Sequence, residues 1–409
     1  MKINRDQFLK DGYLVLRSVV PPDALHTLRA EYEILVERQK AVWARDRSPD
    51  DPNVWGTSPQ PRLHLNRSPL ADLIDEQTAN TVEIWLHENM QGVSSQLLGV
   101  QDAAVTEMML MCNPVRDHGP AAWHRDLHPI DTAPLQGYIE DIIEAGPRYV
   151  QWNLSLYDDD VLQVIPGSHL RLNTSEENEQ LLTDPRAPLP GSVQTHLKAG
   201  DGVVYILPIL HWGSNYSTKM RRTVHGGFST FTQYNNLNYT THLSARVRSV
   251  FERWTQRSAQ KQNITESVLR AAIEKDAAAY CAGLEKLHPE RGDKGGILST
   301  VFLCKAACAI ALKHHPDLEG VPDDLRRRVA SPHPITLNWG PAFADRFSME
   351  EADLLWQRFK PLDALLQTDS EHFVPGFQSG PMRYFFNEMP ANFGLQDFIN
   401  GWDGRFAGE

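Results

Sequence analysis

The sequence predicts an α+β protein in which a block of short strands lies between two helical regions. Residues 104–232 contain short apolar runs separated by Gly, Pro, Asn and Asp, a pattern typical of a sandwich or barrel. Residues 4–98 and about 245–409 instead place apolar side chains at three- and four-residue spacing, as amphipathic helices do. We therefore expect two parts, residues 1–245 with the strands and residues 246–409 as a mainly helical extension.

The N-terminal hundred residues predict helices around one short strand. Asp11-Gly12 is a turn signal that leads into a strand at Tyr13–Leu16. Pro22 opens a helix in which apolar residues recur with helical period. One further helix is expected over about 71–98, ending near Gly99.

The central block predicts four principal strands. They are expected at Val105–Cys112, Tyr149–Tyr157, Val203–Ile206 and Arg221–Phe231. Because side chains alternate along a strand, Gln151 and Asn153 share one face of the second, and Val150, Trp152 and Leu154 the other. Residues 173–198 are expected to be a polar excursion that contains Pro185, Pro188 and Pro190.

The C-terminal part predicts three helices. Asn263 and Glu266 resemble a capping box at the start of the first. The second, at 297–314, is apolar enough to be buried, and the third covers about 349–366.

Composition and charge restrict the classes of partner. The chain has 409 residues, 41% of them hydrophobic and 22% charged, as in ordinary soluble globular proteins. A net charge of −12 and a pI near 5.7 argue against nucleic acid and against an anionic membrane surface, since both select basic patches. A small-molecule enzyme or binding protein is expected.

Cysteine use and the N-terminus predict a cytoplasmic protein. The four cysteines are too few and too scattered for a disulfide framework, which indicates reduced thiols. The first residues lack the apolar core of a signal peptide. The longest apolar run, Ile297–Leu312, contains Lys305 and is too short to span a bilayer.

His124 and Asp126 are a candidate pair of metal ligands. Residues two apart lie on the same side of an extended strand, roughly 6.6 Å from each other, so both side chains can reach one ion. A second pair with this spacing, His315 and Asp317, follows an apolar helix. We interpret that His as a partner of the helix dipole, since no downstream His and Arg accompany it.

His211 is a candidate third metal ligand, and Arg221 is a candidate residue to bind an anion beside the metal. Two His and one carboxylate on one face of Fe(II), with open positions, form the site of non-heme iron oxygenases. A Gly-Ser-Asn turn after His211 predicts a chain reversal that brings Arg221 close to it. An Arg matches a carboxylate with two parallel hydrogen bonds, so Arg221 is a candidate anchor for a 2-oxo acid.

In this order and spacing, the motifs resemble the phytanoyl-CoA dioxygenase family of Fe(II)/2-oxoglutarate oxygenases over roughly residues 5–232. The motifs are Asp11-Gly12-Tyr13, Trp123-His124-Arg125-Asp126, Val164-Ile165-Pro166-Gly167-Ser168-His169, and Gly200-Asp201 leading to His211 and Arg221-Arg222. The resemblance implies a double-stranded β-helix, a cupin-like jelly roll flanked by helices. It does not reach the helical C-terminal extension.

The resemblance also implies the site residues and cofactors. Iron would be bound by His124, Asp126 and His211, and 2-oxoglutarate by Arg221, with Arg222 as the alternative anchor. No catalytic residue beyond the metal ligands is expected. Gln151 and Asn153 either line the cofactor site or form a solvated strand face.

The expected reaction is oxidation of a small-molecule metabolite or natural-product intermediate by dioxygen, with release of succinate and CO2. Asp126 favours hydroxylation, because halogenating relatives carry a small residue there. The alternative is a non-oxidative metal-binding cupin, either an isomerase-like or hydrolytic enzyme or a ligand-binding module. The C-terminal helices could cover the barrel, shape its pocket or form a homodimer interface.

Overall fold

The structure is a computed structural model of the chain. It describes residues 1–127, 129, 134–230, 238–289, 295–321, 323, 326, 341–384 and 393–403. The chain divides into two compact units. Unit 1 comprises Met1–Asp126, Ile142–Thr255 and Val374–Phe377, and unit 2 comprises Leu127–Asp141, Gln256–Phe373 and Gln378–Glu409.

Helices and strands alternate irregularly along the described residues. The α-helices are α1 Arg5–Asp11, α2 Pro22–Asp46, α3 Asn80–Glu83, α4 Val93–Leu98, α5 Leu135–Ala145, α6 Ser175–Thr183, α7 Ala245–Glu274, α8 Ala277–Leu287, α9 Gly295–His314, α10 Pro341–Ala344, α11 Met349–Leu366 and α12 Leu395–Asn400. The strands are β1 Tyr13–Leu16, β2 Arg62–His64, β3 Ala104–Cys112, β4 Tyr149–Ser155, β5 Gln163–Val164, β6 Val193–Gln194, β7 Gly202–Tyr205, β8 His211–Trp212, β9 Arg222–Ser229, β10 Gln367–His372 and β11 Met382–Tyr384.

The strands of unit 1 form two antiparallel sheets. The large sheet has six strands in the order β1-β7-β4-β9-β3-β2, and the small sheet has three in the order β6-β5-β8. A two-stranded sheet, β10-β11, belongs to unit 2. Every pairing between these strands is antiparallel. The protein is therefore a mixed helix-and-sheet structure with antiparallel sheets, as the sequence predicts.

Register places the polar residues of the large sheet on one side. Tyr205 lies opposite Gln151, which lies opposite Gly227, which in turn lies opposite Glu107. Directly paired residues share a face, so all four belong to what we call the polar face of the large sheet. The other face carries fully buried apolar side chains, with Trp152 and Leu154 at its centre. The alternation expected for this strand is confirmed.

The turn between α1 and β1 depends on Gly12. Its φ of +84° is left-handed, a conformation that side chains with a Cβ rarely adopt. A Cβ there would also lie 2.4 Å from Nδ1 of His169. Because the amide of Ile206 donates to the carbonyl oxygen of Gly12, the same turn aligns β1 beside β7.

Several predicted elements are confirmed and two are wrong. The helices expected at 297–314 and 349–366 are α9 and α11. The single helix over 71–98 is instead a series of short helical segments that include α3 and α4. His87 interrupts it, because its backbone is extended and its ring accepts a hydrogen bond from the amide of Asn89. The excursion at 173–198 contains α6, which begins with a capping box.

The capping box predicted at Asn263 and Glu266 is the second error. Both residues lie inside α7, which begins at Ala245. Glu266 is used for side-chain pairs: its carboxylate accepts from Arg270 at 2.9 Å and from Arg346 at 3.0 Å. The sequence pattern of a cap is therefore present without its backbone geometry.

Unit 2 is mainly helical. Its apolar helix α9 packs against α8 and α11. An aromatic cluster formed by Tyr280, Phe398 and Trp402 ties α12 to α8, with the rings of Tyr280 and Trp402 4.9 Å apart. Among the residues with a described structure, none of the helices combines the length and the hydropathy that a membrane span requires.

Candidate metal centre

His124 and His211 are held together by their own backbones. The amide of His124 donates to the carbonyl oxygen of His211 at 2.9 Å, and the amide of His211 donates back at 3.0 Å. This reciprocal antiparallel bridge puts both side chains on one side, with ring centroids 4.4 Å apart. Residues 87 positions apart in the sequence therefore present two imidazoles to one point.

Asp126 completes the group. Its Oδ1 lies 3.1 Å from Nε2 of His124, and its Oδ2 lies 3.2 Å from Nε2 of His211. One ligand atom from each of the three residues lies within 4.8 Å of the others, so the group could hold a metal ion. The three residues singled out in the sequence are brought together.

The orientation of both imidazoles fits a metal. Nδ1 of His124 lies 2.8 Å from the carbonyl oxygen of Ala122, and Nδ1 of His211 lies 3.0 Å from that of Ile209. A carbonyl oxygen can only accept, so each Nδ1 carries a proton, and this hydrogen bond turns each Nε2 toward Asp126. Metal-binding histidines are oriented in this way by their second nitrogen. Two such imidazoles and one carboxylate are a donor set that Fe(II) accepts.

Electrostatics keep the carboxylate ionised. Burial alone would raise the pKa of Asp126, but the adjacent His211 and His124 lower it well below its usual value. Burial likewise opposes protonation of His124, and Asp126 nevertheless raises the pKa of this imidazole. A negative oxygen therefore faces the two ring nitrogens.

Gln151 connects the triad to the polar face of the large sheet. Its Nε2 donates to Oδ2 of Asp126 at 2.6 Å and lies 2.7 Å from the hydroxyl of Tyr205. Asn153 is one step further away: its Oδ1 lies 2.5 Å from Nδ1 of His225, whose Nε2 is 3.3 Å from Nε2 of Gln151. Burial lowers the pKa of His225 to about 3, so this ring is neutral.

Arg221 and Arg222 point to opposite sides of β9. Arg221 is on the side of Thr223 and His225, which is the polar face, and its Nε donates to Oδ2 of Asp159 at 2.8 Å. Thr223 donates to the same oxygen at 3.0 Å. Both members of the ion pair are buried, and Arg221 lowers the pKa of the Asp159 carboxyl against the effect of burial.

The side chain of Arg222 contacts residues that are not part of the triad. Its Nε lies 2.8 Å from Oε1 of Glu33, and its Nη1 donates to Oδ1 of Asn113 at 3.0 Å. Its guanidinium also lies over the ring of Trp55, 5.3 Å from the ring centroid. Because these partners belong to α2, to the end of β3 and to the following loops, Arg222 does not face the triad.

Arg125 lies between the candidate ligands His124 and Asp126, and its hydrogen bonds hold this segment of the chain in place. Its buried guanidinium donates to the carbonyl oxygens of Ser168, at 2.8 Å, and Pro208, and to Oδ1 of Asn173 at 2.8 Å. Its amide donates to the carbonyl oxygen of Gly376 at 2.8 Å. Burial lowers the pKa of Arg125 to about 10, which still leaves it charged at neutral pH.

The remaining histidines considered in the sequence are not ligands of this group. His169 is fully buried, and its Nε2 lies 2.9 Å from the carbonyl oxygen of Leu9, so it stabilises the turn at Gly12. His315 pairs with Asp353 at 2.6 Å rather than forming a site with Asp317.

Sequence reasoning missed three residues on the polar face, His225, Tyr205 and Glu107, and a fourth, Asp159, that contacts Arg221. His225 could have been found, because it follows Arg221 at even spacing on one strand and therefore shares its face. Asp159 could not, since it is the middle of three consecutive aspartates and nothing local distinguishes it. The roles of Tyr205 and Glu107 depend on strand order, which the local pattern does not contain.

Comparison with known proteins gives one family. The model of the family described as phytanoyl-CoA dioxygenase (PhyH) matches residues 8–224, more than half of the chain. No curated protein matched the sequence.

Solved structures similar to this chain have low identity to it. AviO1 from Streptomyces viridochromogenes Tue57 is 20% identical with a TM-score of 0.38, covering 56% of this chain and 96% of its own. HygX from Streptomyces hygroscopicus, with nickel and 2-oxoglutarate bound, is 17% identical with a TM-score of 0.41, covering 60% and 94%. EctD from S. alaskensis, with 2-oxoglutarate and 5-hydroxyectoine, is 17% identical with a TM-score of 0.39, covering 55% and 74%.

Proposed function

Since the chain belongs to the phytanoyl-CoA dioxygenase family, we propose that it is an Fe(II)/2-oxoglutarate-dependent dioxygenase that hydroxylates a small-molecule metabolite or natural-product intermediate. Family membership by itself makes it an enzyme of the Fe/2-oxoglutarate oxygenase superfamily or a related one. The observation that carries the proposal is the meeting of His124, Asp126 and His211, with both Nε2 atoms directed at the carboxylate.

Iron and 2-oxoglutarate are the cofactors of this reaction. His124, Asp126 and His211 would hold the iron, because they offer two imidazole nitrogens and one ionised carboxylate oxygen. When bound, the two cofactors supply the oxidant that is made from dioxygen, with release of succinate and CO2. The protein contributes binding, orientation and electrostatics around them.

Arg221 would bind the far carboxylate of 2-oxoglutarate. It lies on the polar face, whereas Arg222 does not, and this supports the choice of the first of the two arginines. Asp159 accepts from Nε, which leaves the two terminal nitrogens of the guanidinium for a carboxylate. Such a charge-assisted contact contributes about 1.5–3 kcal/mol.

Gln151 and Asn153 would line the cofactor site. Gln151 holds one oxygen of Asp126 in place, which limits rotation of this ligand about its side chain. Asn153 accepts a hydrogen bond from the Nδ1–H of His225, which leaves Nε2 of that neutral ring as an acceptor toward Gln151. Both residues are buried, which favours this assignment over a solvated strand face.

The two antiparallel sheets of unit 1 are proposed to be the halves of a double-stranded β-helix. The bridge between His124 and His211 joins a segment beside the small sheet to β8, as ligands at one end of a jelly roll require. We propose residues 1–245 as the oxygenase domain and residues 246–409 as its helical extension.

The test is formation of succinate by the purified protein with Fe(II), 2-oxoglutarate and dioxygen. We expect turnover that requires both cofactors and falls to background in Asp126→Ala, because one of three ligands is lost. Asp160→Ala is the control, since that exposed carboxylate pairs with Lys219 away from the triad. Equal turnover in the Asp126→Ala and Asp160→Ala variants would contradict the proposal.

A binding measurement separates this function from a non-oxidative cupin. With Mn(II) present, 2-oxoglutarate should raise the melting temperature of the protein, and Arg221→Ala should abolish this increase. Arg222→Ala should retain it, whatever its own stability, because Arg222 faces Glu33. A metal-binding protein that 2-oxoglutarate does not stabilise would be a cupin of another class.

A further inference from the structure

Glu107 is a carboxylate on the same face as the candidate metal centre. It lies opposite Gly227, which lies opposite Gln151, so two strand spacings of about 4.8 Å each separate Glu107 from Gln151. Gly227 adds no side chain of its own between them. Instead the ring of Tyr149 covers this position, since a Cβ on Gly227 would lie 2.3 Å from the Tyr149 hydroxyl. Glu107 therefore lies on the same face as Gln151, near enough for the charge of Asp126 to act on its carboxyl group.

The contacts of Glu107 with Arg67 and His64 involve only one of its two carboxylate oxygens. Its Oε1 lies 3.4 Å from Nη2 of Arg67 and 3.9 Å from Nδ1 of His64. Charge-assisted contacts are usually about 2.7–2.9 Å, so this ion pair is loose. Within the part of the chain that the structure describes, Oε2 accepts no hydrogen bond, and 33% of the side-chain surface remains accessible.

The electrostatic surroundings of Glu107 favour an additional cation. Burial raises the pKa of its carboxyl, Arg67 and Arg62 oppose this, and the charge of Asp126 adds to it. The pKa of the Glu107 carboxyl is raised overall, because the two arginines do not offset the effects of burial and of Asp126. A cationic group near Oε2 would do so, because opposite charges attract strongly where water is partly excluded.

The other ligands of the proposed reaction do not explain this residue. 2-Oxoglutarate is an anion, which a carboxylate repels, and its anchor is proposed at Arg221 beside Asp159. Dioxygen has no charge. The substrate is the remaining ligand that must approach the triad, and a carboxylate on its path selects for positive charge.

We propose that Glu107 belongs to the substrate subsite and binds a protonated amine of the small-molecule substrate. This inference rests on the proposed function and names the substrate class of that site. Glu107 acts as a specificity-determining residue: its Oε2 accepts from the ammonium group and orients the attached carbon skeleton toward the triad. Arg67 competes with the amine for the same carboxylate.

The competition by Arg67 distinguishes this role from a structural ion pair. If the pair served only stability, Glu107→Gln and Arg67→Gln would have similar effects on the protein. As a substrate subsite, the two changes act in opposite directions. Loss of the Glu107 charge removes amine binding, and loss of the Arg67 charge strengthens it.

The experiment measures binding of shape-matched probes to the full chain with Mn(II) and 2-oxoglutarate, without dioxygen. The probes are cyclohexylamine against cyclohexanol, and 2-phenylethylamine against 2-phenylethanol, followed by ligand-observed NMR titration. We expect the amines to bind at least ten-fold more tightly than the alcohols. This preference should vanish in Glu107→Gln, persist in Glu107→Asp and grow in Arg67→Gln.

Equal binding of amines to the wild type and to Glu107→Gln, or no preference for amines over alcohols in the wild type, would overturn the inference. Stabilisation by 2-oxoglutarate is recorded for every variant and tests the proposed function separately. If 2-oxoglutarate fails to stabilise the wild type, the proposed function is contradicted. A preference for amines that depends on Glu107 would still support the amine site.

Discussion

Gln151 is the residue through which the metal ligands are joined to the polar face of the large sheet. Its amide donates to Asp126 and also lies within hydrogen-bond distance of Tyr205. Residues that orient metal ligands typically contribute 10- to 100-fold to metal affinity. The position of Asp126 therefore depends on a side chain that is not itself one of the three candidate ligands.

Replacing Gln151 tests this dependence. Gln151→Leu keeps a similar volume but removes the donor, and we expect Mn(II) to bind about ten-fold or more weakly. Asn153→Leu is the control, because Asn153 reaches His225 rather than Asp126 and should change the affinity less. The affinities are compared by titration of Mn(II) followed by electron paramagnetic resonance. Equal affinities for both variants and the wild type would contradict this role of Gln151.

Asp159 is a second residue that orients a candidate site residue, because its charge pairs with Arg221. Arg221 holds its folded-state pKa below the unfolded value, which is about 3.9 for an aspartate. A carboxyl with a depressed pKa stabilises the folded state above the unfolded pKa, and this contribution is lost as the pH falls through the folded pKa. The ion pair is therefore fully effective at neutral pH.

Asp159→Asn should lower the free energy of unfolding by about 1.5–3 kcal/mol at neutral pH, because it removes the charge that faces Arg221. The difference between wild type and variant should persist down to about pH 5 and shrink as the pH falls below about 4. Urea denaturation at several pH values measures it. The variant should also need more 2-oxoglutarate for half-maximal stabilisation, since Arg221 is less well oriented. A difference that is independent of pH would show that the charge is not responsible.

At the scale of elements, the site is built where short segments meet. β8 has two residues, and its partner at His124 is a single bridge, so neither segment is stable by itself. Their geometry depends on the anchors around them, among which are the buried Arg125 and the turn at Gly12. The turn at Gly12 aligns β1 with β7, which carries Tyr205.

Gly12→Ala tests the turn. The added Cβ would lie 2.4 Å from His169 and would require a left-handed backbone, so we expect a loss of at least about 1 kcal/mol of stability. Gly56→Ala is a matched control, because no atom lies within 4 Å of a Cβ at that position. The free energies of unfolding of the two variants are compared in urea. Equal values would contradict the requirement for glycine.

At the scale of the whole molecule, the candidate site uses residues from distant parts of the sequence. Residues 374–377 belong to unit 1, although more than a hundred residues separate them from its other segments. The carbonyl oxygen of Gly376 accepts from the amide of Arg125, and that of Pro375 accepts from the side chain of Asn173 at 2.8 Å. The segment between His124 and Asp126 is thus anchored from the C-terminal part of the chain.

A truncation after Thr255 removes these acceptors. We expect the shortened protein to bind Mn(II) at least about ten-fold more weakly than the full chain, as measured by titration, because the backbone between two ligands loses its partner. Asn173→Ala in the full chain is the control, since it removes contacts of one side chain and leaves Gly376 in place. If the truncated chain binds Mn(II) as tightly as the full chain, residues 374–377 are not needed.

The sequence by itself determined the features that depend on a few neighbouring residues. His124-x-Asp126 follows from the period of an extended segment, and α9 and α11 follow from helical periodicity and apolar content. The family motifs predicted that His211 and Arg221 belong to one site. In each case the controlling geometry is that of the backbone over one or two turns or one strand.

Tertiary structure decided which distant groups meet. The hydrogen bond between Gln151 and Asp126 joins residues 25 positions apart, and the ion pair of Arg221 joins it to a residue 62 positions away. Strand order placed Glu107 on the same face as Gln151, two strands away, with Gly227 on the strand between them. Such contacts depend on how loops close and how sheets pack, and local periodicity carries no information about either.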